Sequence, residues 1–230
     1  MACILALDTS SEGCSAALIK EGKVTSVYEV VPRDHTRKII PMIQQVLKES
    51  GTEPEQLDAI AFSRGPGSFT GLRICASITQ GLAIAHDLPV IPVSSLAILA
   101  QGAYRRDNNK THVVACLDAR REEVYWASFE LHAELMELVG EEMVIAPADV
   151  KTEKGGCWHG AGSGLKSYKA ELASNTQVHL QGAEPEAYPL AQDAIEYAKN
   201  AWLNKDMVDA SLAIPTYLRD NIATPPKNRM

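Results

Sequence analysis

Two short stretches hold the residues whose types and spacing suit chemistry. In AFSRGPGSFTGLR, Ala61 to Arg73, Gly65 and Gly67 follow an apolar run and Thr70 stands where a helix would begin at Gly71. Glycines let a backbone approach a ligand closely, and a helix N-terminus offers free N–H groups to an anion. The spacing therefore suits a phosphate. It is no nucleotide-hydrolase loop, because Leu72 stands where G-x-x-x-x-G-K-[ST] needs lysine, and Thr70 replaces the last glycine of G-x-G-x-x-G. A plain strand-to-helix turn explains the same residues equally well.

LDTSSEG carries the second set. Asp8, Thr9 and Ser10 end a buried run and offer a carboxylate, two hydroxyls and turn N–H groups to nucleotide phosphates. The same residues also make an Asx-type turn that satisfies only itself. Asp118 repeats the position. Laying Leu7–Leu18 over Leu117–Ser128 aligns Asp8 with Asp118 and Glu12 with Glu122 at one offset, with the order strand, Asp, polar turn, strand in both. That pattern reads as a duplicated half.

Other chemistries lack their parts. Four residues beyond His35, His86, His112, His132, His159 and His179 stand Ile39, Val90, Cys116, Met136, Ser163 and Ala183, so no i, i+4 histidine pair exists for a metal. G-x-S-x-G is absent, since Ala161 stands two before Ser163. No C-x-x-C joins the five scattered cysteines, which read as reduced thiols of a cytoplasmic protein. The expected sites are a phosphate or nucleotide contact at Asp8, Thr9, Ser10, Gly65, Gly67, Thr70 and Asp118, with no catalytic or metal-ligating residue.

The elements that would position these groups follow from period. CILALD, CSAALIK, VTSVYEV and DAIAFS read as strands, and Thr36–Ser50 as a helix through Ile39, Ile40, Ile43, Val46 and Leu47. Pro41 fits that helix only in its first turn or at a kink. A long helix over TGLRICASITQGLAIAHD is capped by Thr70, and a serine-capped helix over SSLAILAQGAYR leads to the polar hinge RDNNK. The second half repeats with HVVACLD, a helix begun by PADV, the small-residue run GGCWHGAGSG and a helix over LAQDAIEYAKNAW. The reading is an α/β chain of the actin/sugar-kinase/Hsp70 kind, with two similar lobes, each a mixed sheet flanked by helices. The lobes are expected at residues 1–105 and 106–230, the last segment returning to the first.

The chain has 230 residues, is 46% hydrophobic and 22% charged, and carries a formal net charge of −7. Such a field repels nucleic acid unless basic residues concentrate locally. The small clusters Arg105, Arg106 and Lys110, Arg120 and Arg121, and Lys166 and Lys169 read as solvated faces. No run nears the ~20 apolar residues of a membrane span, and MACILALDTS has no basic leader region, so membrane association and secretion are not expected.

ILALDTS, GPGSFTGLR, LDARREEVYWA, GAGS and PTYLR, taken together over almost the whole chain, resemble the TsaB family, also called YeaZ. The resemblance implies an actin-like fold and a non-catalytic role in making threonylcarbamoyladenosine beside the anticodon of tRNA. It further implies pairing with a catalytic, metal-binding paralogue, TsaD, whose H-x-x-x-H this chain lacks, and an ATPase, TsaE. The expected partner surface is the pair of helices bearing Ile39, Ile40, Ile43, Val46 and Leu47, and Ile74, Ser77, Ile78 and Gly81. The same patch would form a homodimer in isolation. ATP or ADP would be held at the joint rather than firmly by this chain, and tRNA mainly by the complex, with Arg219 as this chain's own contact. Two alternatives remain at this level: a small-molecule kinase or phosphohydrolase, supported by the two aspartates and the glycine turns, and a protease specific for its paralogue.

Overall fold

The computed structural model describes residues 2–153 and 157–219. Its first sheet is built from β1 (Ile4–Asp8), β2 (Gly13–Lys20), β3 (Lys23–Val30), β4 (Ala59–Gly65) and β5 (Val90–Ser94), in the order β3-β2-β1-β4-β5. β1 pairs antiparallel with β2 and parallel with β4, and is buried along its whole length. That is why it reads as an unbroken apolar run rather than an alternating one.

The second sheet contains β6 (His112–Arg120), β7 (Glu123–His132), β8 (Leu135–Ile145), β9 (His159–Ala161) and β10 (Gly182–Glu184). Its order, β8-β7-β6-β9-β10, is that of the first sheet strand for strand, with the same antiparallel and parallel pairings. The duplication read from Asp8 and Asp118 is therefore a duplication of topology, and the fold is actin-like.

The helices are not duplicated so evenly. In the first lobe α1 (His35–Ser50) and α2 (Phe69–Ala85) cover one face of the sheet. Ile39, Ile43 and Val46 from α1 and Cys75 and Ala76 from α2 join Leu5, Leu7, Leu18 and Phe62 in one core. Pro41 sits in the second turn of α1, not its first, on the exposed side, where water can meet the carbonyl its missing N–H leaves unbonded. In the second lobe the α1 position holds no helix among the described residues: Pro147, Ala148 and Asp149 form a turn where PADV was expected to start one. The α2 position holds two short helices, α4 (Gly164–Ser167) and α5 (Lys169–Ser174).

The remaining two helices cross between the sheets. α3 (Ser95–Arg106), capped by Ser94 Oγ, packs along β6, β7 and β8 of the second sheet. α6 (Ala191–Asn204) packs along β1, β2 and β4 of the first. Residue 105 falls in the last turn of α3, and the chain passes to the second sheet through residues 107–111. After α6, Val208 bridges Val90, and Ala210 and Ala213 enter the first lobe's core. Among the described residues no helix is long and apolar enough to cross a membrane.

Candidate functional site

The first-lobe turn and the glycine loop meet face to face, and almost nothing is left between them. Ser10 O accepts from the N–H of Ser68 at 2.7 Å, and Thr9 Oγ1 donates to Gly71 O at 2.7 Å. A Cβ on Gly71 would stand 1.9 Å from Thr9 O, and one on Gly67 would stand 2.4 Å from Ser10 O. These two glycines are required because backbone packs on backbone. The chain's own carbonyl oxygens stand where a side chain at either position would lie. Ser68, not Thr70, caps α2, its hydroxyl accepting from Gly71 N–H at 3.3 Å, while Thr70 is exposed in the first turn.

Asp8 is fully buried at the end of β1, and among the described residues no cation pairs with it. Its carboxylate accepts from Ser10 N–H at 3.1 Å and from the Ser10 hydroxyl at 3.0 Å. Burial pushes it up to about 6, against hydrogen bonds from Ser63 and Ser10 that pull it down. Asp118, at the matching place on β6, is held differently. It accepts from Arg120 N–H at 2.8 Å, Ser167 Oγ at 3.2 Å and Tyr168 Oη at 3.3 Å, and pairs with the Arg120 guanidinium. Both aspartates are engaged by their own lobes, as turn residues are.

The donor set for a metal does not fit. His35 is buried, with Nε2 3.2 Å from Gly13 O, tying α1 to the start of β2 rather than capping a helix or lying on the surface, and Ile39 is buried four residues on. No three His, Cys, Asp or Glu side chains among the described residues are grouped to hold an ion. Burial raises the thiols of Cys3, Cys14, Cys75 and Cys116, so none is a thiolate at neutral pH.

The basic clusters are partly paired within the chain. Arg105 pairs with the wholly buried Asp193 on α6, and Arg106 and Lys110 both meet Glu184 on β10, while Arg105 and Arg106 stay exposed to solvent. Arg219 pairs with Glu123 and donates to the carbonyls of Ala119 and Arg120.

What remains open is a surface. A groove of about 380 Å³ runs between α1 and α2, lined by Thr36, Phe69, Thr70, Arg73, Ile74, Ser77 and Ile78. Around it Ile40, Ser77 and Gly81 are exposed and Ile74, Ile78 and Leu47 half-buried. Ile39, Ile43 and Val46 point the other way, into the first-lobe core, and are corrected from surface to interior. An i, i+3, i+4 stripe marks which face of a helix is apolar, and that face went to the sheet. Reasoning from the sequence missed Phe69 and Arg73, whose guanidinium lies 3.6 Å from the Phe69 ring centre, and Tyr217, whose hydroxyl accepts from Arg73 Nε at 3.2 Å. A lone phenylalanine among small turn residues was the available signal. Missed too was a second echo of duplication: GPGSFTGL in the first lobe and GAGSGL in the second differ by the presence of Phe69 and Thr70 and by Pro66 in place of Ala161. Of the stretch GGCWHGAGSG, Gly155 and Gly156 lie outside the described residues, and Trp158 is core. The tail NIATPPKNRM also lies outside them.

Comparison with known proteins converges on one group. A family model described as TsaD, tRNA N6-adenosine threonylcarbamoyltransferase, matches residues 26–227. The chain is 39% identical over 226 residues to the tRNA threonylcarbamoyladenosine biosynthesis protein TsaB of Escherichia coli strain K12, covering 96% of each. It is 37% identical over 228 residues to the protein of the same name from Haemophilus influenzae, covering 95% of this chain and 94% of that one. The solved structure of YeaZ from Pseudomonas aeruginosa is 42% identical, with a TM-score of 0.90 over 95% of this chain and 100% of that one.

Proposed function

The chain belongs to the TsaB (YeaZ) family and serves in tRNA threonylcarbamoyladenosine biosynthesis, and from that premise we propose that it works there without chemistry of its own, as a scaffold for a catalytic paralogue. The observation that carries this reading is the filled turn. With Gly67 and Gly71 closed against Ser10 O and Thr9 O, the Thr9 hydroxyl is bonded to Gly71 O, the Ser68 N–H to Ser10 O and the Ser10 hydroxyl to Asp8. Asp8 and Asp118 are likewise occupied within their own lobes.

The match to a TsaD model over most of the chain supports a pseudo-symmetric pair of like-folded subunits, this one pairing with TsaD. The docking surface is the α1–α2 groove with Ile40, Ile74, Ser77, Ile78 and Gly81 at its rim. Small residues at Ser77 and Gly81 admit a close-packed helix, and the same patch is self-complementary enough for a homodimer when the chain is alone. The complex, completed by the ATPase TsaE, holds the tRNA and any ATP or ADP at the joint, in the cytoplasm.

Reconstitution tests this directly. With TsaD and TsaE fixed, omitting this chain should abolish tRNA modification, and Ser77→Arg on the exposed face should do the same while the variant stays folded. Asp118→Asn should leave modification intact. Full modification without the chain, or multiple turnover of ATP by the chain alone, overturns the reading.

A further inference from the structure

Residues Thr216–Arg219 touch three places, two neighbouring ones in the first lobe and one in the second. Thr216 N–H donates to Arg64 O at 2.7 Å at the end of β4, and Thr216 O lies so close to Gly65 that a Cβ there would approach it to 2.8 Å. One residue on, Tyr217 meets the Phe69 ring at 5.7 Å and the Arg73 guanidinium, on the α2 surface. Two further on, Arg219 reaches the second lobe, donating to Ala119 O and Arg120 O in the β6–β7 turn and pairing with Glu123.

That turn needs the support. Arg120, Arg121 and Glu122 all have φ between 55° and 61°, three consecutive non-glycine residues in the left-handed region. Its carbonyls are met by a guanidinium and its Arg120 N–H by Asp118. Arg64 is tied to the second lobe a second time. Its side chain faces Glu142 of β8 at 3.4 Å, and the other Glu142 oxygen accepts from the Ser94 hydroxyl that caps α3. Backbone and side chain of one first-lobe residue are thus both fastened, directly or through the strap, to the second lobe.

We infer that Thr216–Arg219 is an interlobe strap, holding the first-lobe glycine loop and the second-lobe β6–β7 turn as one closed unit, with Glu142 as its second fastening. Hinge opening between the lobes is then suppressed by the chain itself. These contacts stand whether or not α2 takes a partner, so failure of the scaffold reading would leave the strap untouched.

The test uses the full chain with Cys157→Ser and spin labels on cysteines placed at exposed Lys48 and Glu137, one in each lobe. Arg219→Ala should broaden the interlobe distance distribution and speed exchange of the Thr216 amide roughly tenfold, the change expected from losing a charged hydrogen bond. Glu142→Ala should broaden it too, and the double variant most of all. Should either single variant fail to fold, Arg219→Lys keeps the charge opposite Glu123 but cannot serve two carbonyls, and an intermediate broadening is expected. A distance distribution unchanged in Arg219→Ala with Glu142→Ala, or unchanged in Arg219→Lys where only that variant folds, overturns the strap.

Discussion

The two lobes share a strand order but not a surface. In the first, a 16-residue α1 and a 17-residue α2 lie side by side and leave an apolar groove between them. In the second, the α1 position holds a turn, and the α2 position is split between helices of four and six residues. The loops leading into those positions run GPGSFTGL and GAGSGL, so the two residues the second lobe lacks, Phe69 and Thr70, both line the groove. Duplication kept the sheet and its turns because they form the core. The helices differ: among the described residues only the first lobe carries a long helix pair with a groove between them.

The comparison breaks most visibly at paired glycines. Gly71→Ala would push a methyl into the Thr9 backbone carbonyl, which has no rotamer to escape through, and should cost more than about 4 kcal/mol by denaturant unfolding. Its counterpart Gly164→Ala meets mainly the Cys116 thiol at 2.5 Å, a side chain able to shift, and should cost about 1–3 kcal/mol. Equal losses would mean that the two turns are packed alike.

Opposite sides of α1 give the next contrast. Ile39→Ala opens a hole in the first core and should cost about 2–5 kcal/mol. Ile40→Ala, one residue on and exposed, should stay within about 0.5 kcal/mol.

Acid should report on Asp8. Asp8 is raised to about 6 from 3.8, so between those values the folded chain holds a proton that the unfolded chain has released. Stability therefore falls as pH rises from about 4 to 6 and levels off above, a change of about 3 kcal/mol. Asp8→Asn should flatten that slope, read by denaturant unfolding at pH 4 and pH 7. The smallest effect belongs to the surface. Lys166 and Glu186 pair in the open, and Glu186→Gln should leave the denaturant midpoint unchanged.

Much of the first lobe was legible because buried strands read as apolar runs and amphipathic helices keep their period. The duplication showed at Asp8 and Asp118 because a strand-end carboxylate constrains its neighbours in both lobes. The site was misread where one residue type serves two purposes. Gly65 and Gly67 were read as room for a ligand; Gly67 lies against Ser10 O and Gly65 against Thr216 O, carbonyls more than 50 residues away in the chain that no local pattern announces. Ile39, Ile43 and Val46 were read as a docking stripe because apolar period marks a buried face without saying what buries it. Arg219 looked available because its partners, Ala119, Arg120 and Glu123, lie about a hundred residues away in sequence.

The placement of α6 bears on how the molecule can be made. Ile4, Ala6, Ala17, Ile19, Ala61, Ile91 and Val93 present one side of the first sheet to Ala191, Ala194, Ile195 and Ala198. During synthesis all five strands of that sheet leave the ribosome about a hundred residues before the helix that roofs them. The nascent chain would carry that apolar face, covered only in part by Ile98 of α3, through the making of nearly the entire second lobe. A ribosome stalled between the lobes would therefore release not half a protein that folds, but one that sticks.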